Sequence, residues 1–320
     1  MPQPDNRIRR GRLSRRALLH GGLAGLGVAL VGCSTTATPP GASSSGASSA
    51  PPSADQAAEA AFAALEAKFG GRLGVSAVDT GTGRTVGHRA DERFLMCSTH
   101  KVFVVAAILA LRGRQPGLLD RLIRYDRSQL LSYAPVTSQH VADGMTVSAL
   151  CEAAITVSDN TAVNLLQQVL GGPAAATAYV RTTGDQVTRL DRLEPDLNVG
   201  APGDERDTTT PAQFAADLRT LALGDTLDPA GRDLLTGWLT AATTGGALVR
   251  AGLPAGWRAG DKSGSGAAGE VNDVAVVWPP NHAPLVVTVF TAPTDRASKA
   301  GQATVAGAAS IAVKALVPAG

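Results

Sequence analysis

Two different spacings of hydrophobic and polar residues run along this chain, and each predicts a different kind of element. In residues 54–69 the apolar positions recur at helical spacing and predict an amphipathic helix. Residues 72–89 alternate on both sides of a glycine-rich turn and predict a β-hairpin. Near the end, apolar stretches within 273–280 and 283–292 predict two adjacent strands, and the run at about 297–316 predicts a final helix. Strands are therefore expected close to both ends of the folded region.

The centre of the chain, from Ser98 to about Leu223, is predicted to be mainly helical. Thr146 opens the stretch "TVSALCEAAITV" and is the expected cap of that helix, because its hydroxyl can accept a hydrogen bond from a backbone N–H of the first turn. A second helix is expected to open at Asn160 and to end at the glycine pair 171–172.

This order of elements predicts a mixed α/β (α+β) fold with two lobes. The simplest packing places the early hairpin and the late strands in one antiparallel sheet, which the two terminal helices cover. Residues 54–97 and 224–320 would form this α/β lobe, and about 98–223 would form an all-helical lobe, so that 54–320 make one catalytic domain. The cleft between the lobes is the expected place for a functional site.

The first 32 residues have the composition of an export signal. They hold six arginines and one acidic residue, and the twin-arginine pattern "SRRALL" is followed by the short apolar run "GGLAGLGVALVG". This run ends in "LVGC", which resembles the lipobox of bacterial lipoproteins, so Cys33 is expected to be the lipidated first residue of the mature chain. The alternative is an ordinary signal peptide with an incidental cysteine. Residues 33–53 carry no charged side chain and are expected to form a disordered tether.

The rest of the composition excludes several function classes. The net charge is +2, but most of the excess arginine lies in the leader, and no basic stripe with interleaved aromatic residues indicates a nucleic-acid partner. The five histidines are scattered, and no cysteine–histidine spacing is typical of zinc. We therefore expect neither a metal nor a cofactor, and no membrane contact other than the N-terminal anchor.

The stretch "CSTHK", before an apolar helix, carries the first candidate chemistry. Ser98 and Lys101 are three residues apart and therefore share one face of a helix. Such a pair can be a helix cap beside a solvated lysine, or a nucleophile beside its base. This spacing occurs often by chance, so it does not decide between the two interpretations.

Three later stretches could supply partners for Ser98. Their candidate residues are Ser158 and Asn160 in "VSDN", Glu194 and Asn198 in "RLDRLEPDLN", and Lys262, Ser263, Gly264 and Ser265 in "DKSGSG". Taken singly, each stretch has an ordinary interpretation as a turn and cap, a surface acid or a solvated strand end. Their joint order and their helix or strand context are very improbable by chance.

In this order the four stretches resemble the motifs of the class A active-site-serine β-lactamases, and the resemblance covers about residues 54–318. "SYAPVTSQH" is similar to the aromatic-gate loop of that family, with Tyr133 as the gate. "RLDRLEPDLN" and "DERDTTTP" are similar to its omega loop, where Arg192 and Asp207 match the ion pair that closes the loop. The fold of the family is the same two-lobed arrangement that the hydrophobic pattern predicts.

The resemblance implies hydrolysis of the β-lactam amide bond of penicillins and cephalosporins through an acyl-enzyme on Ser98. Lys101 or Glu194 would be the base for acylation, and Lys101 would first need a lower pKa, for instance through Lys262. Glu194 and Asn198 would hold and activate the deacylating water. Ser158 would relay a proton, and Tyr133 would form the gate. Asn160 would bind the side-chain amide of the substrate, and the backbone N–H groups of Ser98 and Ser265 would bind the oxyanion. Lys262, Ser263 and Ser265 would face the substrate carboxylate, and Gly264 would be a further substrate-binding residue.

The chain departs from the family at several positions near these motifs. His100 stands where the family usually has an aromatic residue, and we expect it to be structural. At the two positions where many members carry an arginine for the substrate carboxylate, this chain has Leu248 and Val271. Arg250 is close in sequence, but the side of the strand that it faces does not follow from the sequence.

The two cysteines of the body are expected to be free. Cys97 precedes the candidate nucleophile, as in some carbapenem-hydrolysing members, but the position of its disulfide partner is Gly266 here. Cys151 lies in a run predicted to be a buried helix, where a free cysteine acts as a small hydrophobic residue.

The predicted protein is a monomeric antibiotic-resistance hydrolase, lipid-anchored at the outer face of the cytoplasmic membrane or released from the cell. Two other functions remain as alternatives. A cell-wall DD-peptidase would share the serine and lysine motifs but not the pair Glu194 and Asn198. A penicillin sensor would stay acylated, and it would need a membrane span or an effector domain, which the sequence does not indicate.

Overall fold

The structure of the protein, a computed structural model, describes residues 53–317. The export signal, Cys33 and nearly all of the tether lie outside the described residues. No helix within 53–317 is long and apolar enough to cross a membrane. Ser53, which the sequence assigned to the tether, caps the first helix, since its hydroxyl accepts from the backbone N–H of Gln56 and the Gln56 side chain accepts in return from that of Ser53.

Helices and strands within 53–317 follow the predicted order. The helices are α1 (Ala54–Phe69), α2 (Lys101–Arg112), α3 (Val147–Thr156), α4 (Asn160–Leu170), α5 (Pro173–Thr182), α6 (Pro211–Ala222), α7 (Pro229–Thr240) and α8 (Gly301–Leu316). The strands are β1 (Gly71–Asp79), β2 (Thr85–His88), β3 (Phe94–Leu95), β4 (Leu122–Ile123), β5 (Met145–Thr146), β6 (Thr208–Thr209), β7 (Arg258–Ser265), β8 (Val271–Trp278) and β9 (Leu285–Pro293).

Five strands form one antiparallel sheet in the order β2-β1-β9-β8-β7. The early hairpin therefore pairs with the late strands, through partners such as Val75 and Val289, and the predicted mixed fold is confirmed. The four two-residue strands form separate ladders, β3 with β6 and β4 with β5. Strand β7 lies at the edge of the large sheet and contacts the turn that carries Ser98.

The helix ends agree with the sequence prediction except at the last helix. Thr146 caps α3 as expected, because its hydroxyl accepts from the backbone N–H of Ala149. Helix α4 opens at Asn160 and ends at the glycine pair, as predicted, and its cap is Asp159, whose carboxylate accepts from the third backbone N–H of the helix at 2.9 Å. The last helix begins at Gly301, not at about 297.

Each face of the large sheet carries its own hydrophobic core. Helices α1 and α8 cover one face, as predicted, and bury side chains such as Phe62 and Val305. The other core extends into the helical lobe around α2, which is buried from Lys101 to Leu109. Helix α6 packs against β1, β8 and β9 on this second face, although its residues fall in the segment assigned to the helical lobe. The N-terminus of α2 is thereby fixed between sheet and helices.

Candidate active site

The turn before α2 holds Ser98 at the junction between sheet and helices. Residues Cys97–His100 form a 3₁₀ turn, and Cys97 has a φ of +49°, a left-handed conformation that residues other than glycine rarely adopt. Ser98 lines the cleft between the lobes, whereas Lys101, one turn further on, is completely buried beneath it. The predicted spacing thus brings hydroxyl and amine to the same side of the helix.

Glu194 joins Ser98 and Lys101 in one buried cluster. Its Oε1 lies 3.1 Å from Ser98 Oγ and 3.3 Å from Lys101 Nζ. The side chains of Lys101 and Glu194 are both inaccessible to solvent. An ion pair in such a place is stable only when hydrogen bonds satisfy both partners.

Further donors and acceptors complete the cluster on the side of Lys101. Its Nζ donates to the Ser158 carbonyl at 2.7 Å, to Ser158 Oγ at 3.1 Å and to Asn160 Oδ1 at 2.6 Å. Lys262 Nζ reaches the same Ser158 hydroxyl at 3.0 Å. Ser158 therefore lies between two lysines, and this is possible because it turns sharply between α3 and α4 with a φ of +60°.

The loop that carries Glu194 is tied down on several sides. Asn164 on α4 accepts from the backbone N–H of Glu194 at 3.0 Å and donates to its carbonyl at 2.9 Å. The predicted ion pair is present, with Arg192 Nε 2.6 Å from Asp207 Oδ2. The Asn198 amide donates to the second carboxylate oxygen of Glu194, and the Asn198 oxygen is buried with no donor among the described residues.

Burial and charge shift the pKa values of the cluster in different directions. Burial lowers the pKa of Lys101, and the attraction of Glu194 only partly opposes it. Burial is thus the main cause of the shift, rather than the charge of Lys262 that the sequence suggested. Burial and then the nearby Lys101 lower the pKa of Lys262 to about 7. For Glu194, burial alone would raise the pKa, but the Lys101 ammonium and the neighbouring donors outweigh it, and the net pKa is lowered.

A cleft of about 360 Å³ opens above this cluster. Its lining residues are Ser98, Tyr133, Ser158, Asn160, Asn198, Thr244, Leu248, Ser263, Gly264, Ser265, Val271 and Gln302. The predicted binding residues therefore come together around one opening, and Lys262 lies directly below it. Tyr133 is half exposed, and its carbonyl accepts from the backbone N–H of Asn160 at 3.0 Å, which joins the predicted gate to the helix α4.

Sequence reasoning missed two residues of the cleft, Thr244 and Gln302. The Ser263 hydroxyl donates to Thr244 Oγ1 at 2.6 Å, so the two hydroxyls form a pair on the cleft wall. Gln302 lies in the first turn of α8. Neither residue belongs to a motif, and only the approach of distant segments in the fold brings them to the site.

Arg250 does not take the place of the missing arginines. Its guanidinium pairs with Asp261 and donates to the carbonyls of Leu239 and Thr240 at 3.1 and 3.2 Å. It is not among the residues that line the cleft. Leu248 and Val271 do line the cleft. This part of its wall is therefore apolar, at the two positions where the resemblance led one to look for an arginine.

Both cysteines of the described residues are buried and free. Cys97 Sγ lies against Gly266, where a Cβ would come within 2.9 Å of the sulfur. Burial raises the pKa of both thiols, which keeps them protonated and unreactive. No group of three or more histidine, cysteine or acidic side chains within 53–317 is arranged to hold a metal ion.

Comparison with known proteins decides the family. The model of the "Beta-lactamase enzyme family" matches residues 57–316. "Beta-lactamase AST-1" of Nocardia asteroides is 52% identical over 259 residues, which are 81% of this chain and 84% of that protein. The chain belongs to the β-lactamase family.

The relatives of this β-lactamase also identify its class. A solved structure titled "Class A beta-lactamase from Mycobacterium abscessus" is 54% identical and covers 81% of this chain and 99% of its own, with a TM-score of 0.80. The "Carbapenem-hydrolyzing beta-lactamase KPC" of Klebsiella oxytoca is 46% identical over 80% of this chain and 87% of that protein. The predicted class A enzyme and its fold are therefore confirmed.

Proposed function

We propose that this class A β-lactamase hydrolyses the β-lactam amide bond of penicillins and cephalosporins through an acyl-enzyme on Ser98, and so confers resistance to these antibiotics. The observation that carries the proposal is the position of Glu194 Oε1, 3.1 Å from Ser98 Oγ and 3.3 Å from Lys101 Nζ. A carboxylate in this place can accept a proton from the serine and later from a water. A DD-peptidase or a stably acylated sensor has no need of such a group.

The contacts favour Glu194 over Lys101 as the base for acylation. Lys101 Nζ donates to three oxygens, on Ser158 and Asn160, and three donated hydrogens leave the ammonium without a free lone pair. Ser98 Oγ donates to Glu194, and the lowered pKa of Glu194 keeps it ionised and able to accept. Glu194 therefore takes the proton as Ser98 Oγ bonds to the lactam carbonyl carbon.

The remaining steps of acylation use groups on both sides of the cleft. The backbone N–H groups of Ser98 and Ser265 receive the charge that develops on the carbonyl oxygen, and losing one such donor typically costs about 2.7–4 kcal/mol of barrier. When the lactam C–N bond breaks, the nitrogen needs a proton. The Ser158 hydroxyl, 3.1 Å from Lys101 Nζ and 3.0 Å from Lys262 Nζ, is suited to deliver it and to be reprotonated by a lysine.

Before deacylation the proton taken from Ser98 must pass from Glu194 to the lysine that reprotonated Ser158, and Lys101, 3.3 Å from Glu194 Oε1, is placed to receive it. The restored carboxylate then accepts a proton from a water bound between Glu194 and Asn198 while the water oxygen attacks the ester carbon. Ser98 Oγ leaves and recovers that proton from Glu194. The buried Asn198 oxygen, which has no donor among the described residues, supports this role, because it can accept the second hydrogen of that water.

The substrate carboxylate meets hydroxyls rather than an arginine. No arginine lines the cleft among the described residues, and the pair Ser263 and Thr244 lies on its wall beside Ser265. Lys262 below supplies positive charge, and its pKa of about 7 leaves it partly charged near neutral pH. We therefore assign carboxylate binding to Lys262, Ser263, Thr244 and Ser265, and the substrate side chain to Tyr133 and Asn160.

Replacement of Ser98 tests the assignment of the nucleophile. The variant Ser98→Ala should lose hydrolysis of a chromogenic cephalosporin and should not gain mass when incubated with penicillin, because no other nucleophile is proposed. Its melting temperature should stay close to that of the wild type, since only one hydroxyl is removed. A variant that still forms a penicilloyl adduct in intact-mass spectra would show that the nucleophile lies elsewhere.

Export and membrane attachment are proposed on the sequence alone. The twin-arginine pattern and "LVGC" support export of a monomeric enzyme, lipid-modified on Cys33 and tethered by 34–52 to the outer face of the cytoplasmic membrane. One acyl chain binds a bilayer only marginally, so a double-chain modification is implied. Cys33→Ala should move the protein from the membrane fraction to the medium and abolish its labelling with radioactive palmitate. Equal labelling of variant and wild type would exclude this anchor.

A further inference from the structure

One peptide group of the turn, Cys97–Ser98, has hydrogen-bonding roles at both of its ends. In the proposed function its N–H, on Ser98, is one of the two donors to the oxyanion. Its carbonyl, on Cys97, lies 2.9 Å from Nδ1 of His100. His100 is therefore connected to the oxyanion site through a single rigid amide plane.

The direction of this hydrogen bond follows from its partners. A backbone carbonyl can only accept, so Nδ1 of His100 must carry the hydrogen. His100 is 1% exposed, and burial lowers its pKa to about 4. The ring is therefore neutral near pH 7. Its Nε2 is then an unprotonated acceptor and has no partner among the described residues. The Nδ1 hydrogen bond is thus the polar contact that His100 makes here.

The turn needs such a restraint because its backbone is strained. Cys97 has a φ of +49°, which a residue with a side chain adopts only when its surroundings hold it there. Asn272 on β8 holds the carbonyls of Leu95 and Met96 at 2.8 and 3.2 Å, and the Thr99 hydroxyl donates to Met96 at 2.8 Å. The Cys97 carbonyl follows directly in the chain, and it is His100 that holds it.

Strand β7 leaves little room for the peptide to tilt. A Cβ on Gly264 would lie 3.2 Å from the Ser98 nitrogen and 2.9 Å from the Met96 carbonyl oxygen. The Ser98 nitrogen therefore lies in a narrow space between the turn and β7, whose next residue is Ser265. A small rotation of the peptide plane would move this N–H away from the place where the carbonyl oxygen of a substrate must sit.

We propose that His100 is a positioning residue of the oxyanion site, which orients and polarises the Ser98 N–H by donating to the carbonyl of the same peptide. This rests on the proposed acylation of Ser98. Serial hydrogen bonds strengthen one another by about 10–30%, and one oxyanion donor is worth about 10²–10³ in rate. Loss of the His100 bond should therefore slow acylation by roughly 2- to 8-fold.

Two substitutions separate the hydrogen bond from the volume of the ring. His100→Phe keeps an aromatic ring and removes the donor, whereas His100→Asn removes volume and keeps an N–H at the same distance along the side chain. Single-turnover kinetics with penicillin should give His100→Phe a 2- to 8-fold slower acylation step with unchanged substrate dissociation constant. His100→Asn should acylate at nearly the wild-type rate even where it melts at a lower temperature.

A spectroscopic readout isolates the oxyanion site from general stability. Glu194→Gln and Glu194→Gln/His100→Phe are acylated with penicillin, and the ester carbonyl stretch is recorded by infrared difference spectroscopy. Weaker donation to the carbonyl should shift this band to higher frequency in the His100→Phe background but not with His100→Asn. A core variant such as Leu166→Ala, which melts lower for another reason, should leave the band where it is.

The outcomes separate the two proposals. If neither the wild type nor Glu194→Gln forms an adduct on Ser98, the proposed function fails and not the role of His100. If adducts form and the carbonyl band and acylation rate of His100→Phe equal those of its parent, the positioning role is wrong. Should His100→Phe not fold, His100→Leu removes the donor with a smaller side chain and is measured in the same way. Equal slowing by His100→Phe and His100→Asn would also overturn the proposal, since it would show that volume and not the hydrogen bond matters.

Discussion

A pair of buried acids, Asp185 and Asp217, predicts an unusual dependence of stability on pH. Both side chains are nearly inaccessible, and each has one carboxyl oxygen without a partner among the described residues. Burial, together with the nearby Asp185, raises the pKa of Asp217 to about 8. Asp217 therefore keeps its proton at neutral pH.

The sign of the effect follows from the raised pKa. An unfolded aspartate has a pKa of about 3.9, so between about pH 4 and pH 8 the folded chain holds a proton that the unfolded chain has released. Stability from this pair is complete below about pH 4, falls as the pH rises, and is lost above about pH 8. One pKa unit corresponds to about 1.4 kcal/mol. Because Asp217 is already half ionised at pH 8, the rise from pH 6 to pH 8 removes about 2.3 kcal/mol.

Asp217→Asn should remove this loss, because an amide does not titrate and can donate to Asp185. A change of 1 kcal/mol shifts the melting temperature of a domain of this size by roughly 2–4 °C. The variant should therefore gain about 5–10 °C over the wild type between pH 6 and pH 8. Lys262 titrates in the same range, with a pKa of about 7, so the quantity to follow is the difference between variant and wild type at each pH.

Differential scanning calorimetry at steps from pH 5 to pH 9 measures this difference. Asp233→Asn, which removes an exposed acid on α7, is the matched control and should show a constant offset. A difference between Asp217→Asn and wild type that does not change with pH would refute the raised pKa of Asp217. Neither acid lines the cleft. Asp185 also accepts from the N–H groups of Val187 and Thr188, at the start of the loop that carries Glu194.

Two further substitutions test the supports of the site. Arg192→Ala leaves Asp207 buried without its cation, which typically costs about 3–5 kcal/mol. Because two backbone N–H groups still reach Asp207, calorimetry should show the lower end of this range, and bulky cephalosporins should be hydrolysed relatively faster. An unchanged melting temperature and substrate preference would contradict the ion pair. Thr244→Val removes the hydroxyl that accepts from Ser263. A neutral hydrogen bond is worth about 0.5–1.5 kcal/mol, so KM for penicillin should rise roughly 2- to 12-fold at constant kcat. An unchanged KM would show that Thr244 does not belong to the carboxylate site.

The sheet could be predicted because its strands are marked by local signals. Strands β1 and β2 alternate around a glycine-rich turn, and β8 and β9 are continuous apolar runs, as expected for strands buried on both faces. Their pairing followed from the order of elements. The start of the last helix was less accessible, because no capping side chain marks it: the residue before Gly301 is Ala300, which makes no side-chain cap.

The same difference between local and long-range signals separates the site residues that the sequence predicted from those that it missed. Ser98 and Ser158 lie at element junctions and Lys262 lies inside strand β7. All three have recognisable local sequence, and the fold brings them within one cluster. Thr244, Gln302 and the paired acids of α6 and its neighbouring loop have no such signal, because each depends on segments that meet only in three dimensions. The sequence showed that His100 departs from the aromatic residue usual in the family. Its contact with the Cys97 carbonyl could not be predicted, because it depends on the conformation of the turn.

The central claim, that Glu194 activates the deacylating water, is tested most directly by the lifetime of the adduct on Ser98. Glu194→Gln keeps the shape of the side chain and its contact with Asn198 but removes the base. Without the Glu194 charge, the burial that lowers the pKa of Lys101 is less opposed, so Lys101 can take the Ser98 proton and the variant should still become acylated, although more slowly. The water beside Asn198 loses its base. General-base catalysis contributes about 10²–10⁴ in rate, so the variant should then hold the penicilloyl group for minutes to hours.

Intact-mass spectra of wild type and Glu194→Gln, taken seconds and one hour after mixing with penicillin, give the answer. We expect a fleeting adduct on the wild type and a persistent one on the variant, with tryptic peptides locating it on Ser98. A variant that clears its adduct at the wild-type rate, or a wild type that stays acylated for the hour, would contradict the account.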